Sequence, residues 1–139
     1  MSRIRTVLGD IVPQELGVTD AHDHLIMDKC FTTVSLHKDF LLDDVRLAIS
    51  ELRSFQNAGG NSFVDMAPIG FGRSINSLLE IAREVPVNVI AATGFHKEEF
   101  YEPYHWIHDY AVDQICQLII EEITEGIDVH QYSGPFIYR

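Results

Sequence analysis

The sequence predicts an α/β fold built on a parallel sheet, and three observations carry that prediction. Short β-prone apolar runs alternate with longer stretches of helical periodicity, three times in succession. No tight hairpin signal joins the main strands, so each strand returns through a helix. The run VNVIAA is continuously apolar, the pattern of a strand buried on both faces.

Residues 4–12 read as a small strand or hairpin ahead of the first unit. The first main strand spans 18–25 and ends in the stretch TDAHDHL. A helix is expected over 39–58, where Leu41, Leu42, Val45, Ala48, Ile49, Leu52 and Phe55 recur at spacings of three and four. Asp43 and Asp44 favour its early turns, and Gly59-Gly60 stops it. The second strand is NSFVDM, 61–66, followed by the loop APIGFGR. A helix over 74–84 follows, with Ser74 as N-cap and Pro86 just past its end. The third strand, 87–92, leads into Thr93-Gly94 and the aromatic loop FHKEEFYEPYHW. A third helix is expected over 107–125, with Gly126 at C′. The remaining residues, IDVHQYSGPFIYR, close no further unit and end on apolar Phe136, Ile137 and Tyr138.

Composition narrows the function classes. The chain has 139 residues, 46% of them hydrophobic and 22% charged, a globular balance. Its formal charge of −11 argues against nucleic acid or an anionic membrane surface as partner, since both reward Lys and Arg. Two cysteines, Cys30 and Cys116, make no disulfide framework and read as small hydrophobes in a reducing compartment. No stretch resembles a signal peptide or approaches the ~18 apolar residues of a membrane span. The expected location is therefore the cytoplasm.

The residues that invite chemistry sit at strand ends, where parallel α/β folds place their sites. On a regular strand His22 and His24 point to one side, their Cα atoms ~7 Å apart, and two imidazoles there can converge on one ion. Asp23 would face away, and Asp20 would lie one step deeper on the histidine face. By spacing alone the pair reads first as two polar side chains on a strand, because a zinc site needs three or four ligands. Asp65 ends the second strand, either as a site carboxylate or as an acceptor for loop amides or Arg73. His96 and Lys97 follow the third strand, as a pocket wall or a solvated loop. His105 and His108, three apart, suit surface or loop packing better than a metal. Phe95, Phe100, Tyr101, Tyr104 and Trp106 either line an apolar pocket or form the loop's own core. His37 and His130 have no evident partner. The glycines of IGFGRS lack the third glycine of a dinucleotide fingerprint, and no P-loop or nucleophile elbow occurs.

Four segments, in order, resemble the phosphotriesterase family of the amidohydrolase superfamily: RTVLGDIVPQELGVTDAHDHL, VDMAPIGFGRS, NVIAATGFH and EEITEGID. Asp23 stands where that family more often has Glu. The resemblance implies a TIM (β/α)8 barrel with a binuclear divalent metal centre, usually zinc, whose bridging hydroxide attacks a small-molecule ester. That ester is a lactone or other carboxylic ester, or a phosphotriester. It implies His22 and His24 as metal ligands and places Phe95 and His96 at the substrate pocket. The family's later ligands, including a carboxylated lysine, have no counterpart here, and Lys97 matches no such motif. Residues 1–139 thus read as a single partial domain, the N-terminal part (about three βα units) of such a barrel. No catalytic residue is expected within it, and on its own it is expected to be inactive. The competing expectation is a non-catalytic fragment or self-associating half-barrel, a homodimer, with structural or residual zinc. A mononuclear amidohydrolase-type deaminase or amidase also begins with H-x-H.

Overall fold

The structure, a computed structural model, describes residues 2–127. The apolar tail and His130 therefore lie outside the described residues. The chain opens with an antiparallel hairpin, β1 (Ile4–Thr6) and β2 (Gly9–Ile11), in which Ile4 faces Ile11. Three parallel strands follow, β3 (Thr19–Asp23), β4 (Ser62–Asp65) and β5 (Asn88–Ala91), paired in the order β3-β4-β5. They alternate with α1 (Val45–Asn57), α2 (Ile75–Glu84) and α3 (Val112–Thr124). The predicted parallel strand–helix order is the observed one.

The core forms where α1 and α2 lay their apolar stripes on the sheet. Ala48 and Leu52 from α1 and Leu78, Ile81 and Ala82 from α2 pack with Phe63, Val87 and Val89. Burial of each of the larger side chains among them contributes about 1.5–3 kcal/mol. The hairpin is tied to the same body by the Val7 amide, which donates to the Val89 carbonyl at the outer edge of β5 (2.9 Å).

Two helices begin later than their hydrophobic periodicity predicts. Asp44 is the N-cap of α1, accepting from the amides of Arg46 and Leu47, so Leu41 and Leu42 precede the helix. Leu42 instead makes a two-way backbone bridge with Met27, which closes the long loop after β3. Before α3, Trp106–Asp109 forms a separate 3-10 turn, and the helix starts after Ala111, whose amide is held by the Gln114 side chain (2.9 Å). Both shifts have one cause: apolar loop residues fill local contacts while matching the helical spacing by chance. At α2 the boundaries agree, although Ser74 bonds the Ser77 hydroxyl rather than a backbone amide.

Both cysteines are free. Cys30 is buried, and Cys116 is exposed on α3 rather than packed. Among the described residues no helix is long and apolar enough to cross a membrane.

Candidate active site at the strand ends

The C-terminal end of β3 departs from a regular strand. Asp20 pairs with Phe63 and Asp23 with Asp65, so three steps on β3 match two on β4, and a bulge lies between. Simple alternation therefore does not carry through to the histidines. Asp20 turns back to accept from the His22 amide (3.4 Å), and Asp23 accepts from the His24 amide (2.8 Å). His22 is exposed, whereas His24 is half-buried. The His24 Nδ1 is itself buried and has no hydrogen-bond partner. A buried polar atom left this way costs about 1–3 kcal/mol, so it marks a place where a ligand would be welcome.

Asp65 sits beneath this strand end, with 0% of its surface exposed. One oxygen accepts from the amides of Leu25 (2.8 Å) and Ile26 (3.2 Å), the other from Ala67 (3.0 Å). Burial pushes its pKa up, while those amides and the nearby His24 ring pull the other way. Of the two partners the sequence offered, loop amides are correct and Arg73 is not. Arg73 instead forms a bidentate pair with Glu122 of α3 (2.6 and 2.8 Å), and both side chains are almost fully buried. The Thr93 hydroxyl joins Glu122, and Arg73 also donates to the Ala92 carbonyl (3.0 Å). This network locks the loop after β4, the end of β5 and α3 together.

The loop Gly70-Phe71-Gly72 carries Phe71 to the site. Gly72 has φ +75, and a Cβ there would lie 2.8 Å from the Asp28 carbonyl oxygen, so only glycine fits. Phe71 stacks on the His96 ring (centroids 4.8 Å, 17°) and lies 6.4 Å from the His24 ring. Phe100 meets the edge of His96 at 4.3 Å. His24, Phe71, His96 and Phe100, with Asp23 and Asp39, line a cavity of about 250 Å3. Desolvation lowers the His96 pKa, and the neighbouring charge of Lys97 adds to it.

The remaining aromatics divide between the two roles the sequence left open. Phe95 packs against Tyr101 and Trp106, within the loop's own cluster, and Tyr104 is exposed. Phe100 and the unforeseen Phe71 face the cavity. His105 is buried between Tyr101 and Trp106, its Nδ1 accepting from the Ile107 amide (3.4 Å), and burial lowers its pKa. His108 is exposed. His37, which had no evident partner, stacks on Phe40 at 4.9 Å. Only the GFG pattern in the sequence could have signalled Phe71, as a residue presented by two glycines.

Imidazole nitrogens suit a divalent transition metal, and the unpaired His24 nitrogen fits a ligand-binding role. Among the described residues, however, no group of three or more His, Cys, Asp or Glu comes together to hold an ion. By donor chemistry two imidazoles supply only part of the three or four ligands that a zinc site takes.

The parallel sheet, the helices returning over it and the cavity at the strand ends define a protein of the β/α-barrel class. The chain belongs to the phosphotriesterase family, whose match covers residues 2–134. It is 42% identical over 139 residues to a phospho-furanose lactonase of Mycoplasmopsis synoviae, covering 97% of this chain and 39% of that protein. A phospho-furanose lactonase of Mycoplasmopsis agalactiae is 38% identical over 98% of this chain. Among solved structures, an amidohydrolase from Mycoplasma synoviae matches with TM-score 0.87 and 41% identity, over 99% of this chain and 40% of that one. A lactonase from Listeria monocytogenes matches with TM-score 0.82 and 25% identity, over 93% of this chain and 44% of that one. The chain thus corresponds to the N-terminal part of a TIM barrel and spans about two fifths of the relatives' length.

Proposed function

We propose that this chain contributes the first metal-ligand pair and one wall of the substrate pocket to a metal-dependent hydrolase acting on an ester bond. A lactone is the favoured substrate class. His22 and His24 would hold one ion of a divalent centre, zinc by preference, with further donors from outside the described residues. Such an ion supplies Lewis acidity and an ionised water. The chain's own part is to fix the donors: Asp65 anchors the turn that carries His24, and Asp23 holds the His24 amide. His96 walls the cavity with Phe71 and Phe100, while Phe95, its neighbour, anchors the same loop through Tyr101 and Trp106. The observation that carries the reading is the buried, unpaired His24 Nδ1 beside an apolar-walled cavity at a strand end. The lactonase names of the similar proteins favour a lactone over a phosphotriester.

Calorimetric titration with zinc tests it. Weak binding is expected, lost when His22 and His24 are both replaced by alanine. Zinc affinity unchanged in that variant would refute the metal assignment.

A second reading is a self-associating half-barrel, in which a homodimer covers the sheet edge. It is favoured by an apolar groove of about 430 Å3 beside β5, lined by Ile75, Leu79, Ile90 and Ile123.

A further inference from the structure

We propose that His96 is the pocket's hydrogen-bond donor to a substrate carbonyl oxygen, with its proton held on Nε2 by the fold and Tyr101 as the residue that positions it. This role rests on the reading of the cavity as an ester-substrate pocket.

The tautomer follows from the backbone. The Lys97 amide donates to His96 Nδ1 at 2.8 Å, so that nitrogen must present its lone pair. In a neutral imidazole the proton then sits on Nε2. The ring's orientation is fixed as tightly. Its own backbone amide donates to the Tyr101 hydroxyl (2.8 Å), which in turn donates to the Ile69 carbonyl (2.9 Å). Tyr101 is buried and so pins the loop after β5 to the loop after β4. Phe71 covers one face of the imidazole, and the Phe100 ring stands at 79° to it. Among the described residues Nε2 makes no hydrogen bond. What remains is a donor-only N–H on the wall shared with His24. A lactone carbonyl is the complementary acceptor, and an ammonium group is not. A donor fixed before the substrate arrives loses little freedom on binding, which favours both affinity and orientation.

Long-range proton–nitrogen correlation spectra of the 139-residue chain labelled with 15N-histidine test the assignment, with His96 identified by its loss in His96→Phe. A protonated Nε2 and an unprotonated Nδ1 are expected. In Tyr101→Phe a measurable share of the ring should move to the other tautomer as the loop loosens. Titration with γ-butyrolactone should shift Nε2, and His96→Phe should weaken that binding about tenfold. A proton on Nδ1 in the unsubstituted chain, or a lactone titration that leaves Nε2 unmoved, overturns the donor role. Tautomers unchanged in Tyr101→Phe overturn the positioning role. Absence of zinc binding with these spectra intact would instead count against the hydrolase reading alone.

Discussion

At the end of β4, Asp65 commits both carboxylate oxygens to three backbone amides, two of them in the segment that follows His24. The carboxylate is thus the floor of the site, and the histidine's placement depends on it. Replacing Asp65 with alanine leaves three buried N–H groups without acceptors, each costing about 1–3 kcal/mol. The expected loss in urea unfolding is therefore about 3 kcal/mol or more, measurable as a lower midpoint. Asp65→Asn keeps one acceptor oxygen but turns an NH2 toward an amide N–H, so it should lose an intermediate amount. An alanine variant within 0.5 kcal/mol of the parent, on the scale of a neutral surface change, would show that Asp65 does not hold the turn. A carboxylate at this strand end, and loop amides as its partners, were legible in the sequence. Which amides it takes was not, because amide acceptance by a side chain leaves no periodic trace.

Among the elements, α3 is joined to the sheet by charge as well as by apolar contact. Arg73, Glu122 and Thr93 bind three elements through one buried cluster, and the Arg73–Glu122 contact spans 49 residues of sequence. Removing either partner breaks a buried, bidentate ion pair, a loss of about 3–5 kcal/mol. Glu122→Leu and Arg73→Met should each be that damaging, while the double variant should recover much of the loss. Urea midpoints of the four proteins form the cycle. Additive losses would mean that the two side chains act separately. This cluster marks the limit of what periodicity reveals. The strand–helix order was legible because burial repeats at two or 3.6 residues. A partner 49 positions away has no repeat. Nor does the bulge in β3, which changes which side chains share a face. Helix starts were placed early for a related reason: Leu41 and Leu42 keep the spacing while bonding elsewhere.

At the scale of the molecule, the sheet formed by the described residues has three strands and ends at β5. Among the described residues that outer edge receives one backbone bond, from Val7. Beside it lies the apolar groove between α2 and α3, where Ile75, Leu79, Ile90 and Ile123 meet water. Open edges and apolar grooves both recruit further chain, and β5 carries no lysine or proline to discourage it. In isolation the 139-residue chain should therefore self-associate reversibly. Sedimentation velocity at about 10–100 μM should show species heavier than the 15.8 kDa monomer, growing with concentration as a homodimer requires. Lysine at Ile90 or Leu79 places a charge in the groove and should return the chain to monomer without changing its far-ultraviolet circular dichroism. If the unsubstituted chain stays at 15.8 kDa across that range, the half-barrel reading fails. The ester-hydrolase reading would stand, because it depends on the strand ends and not on this edge.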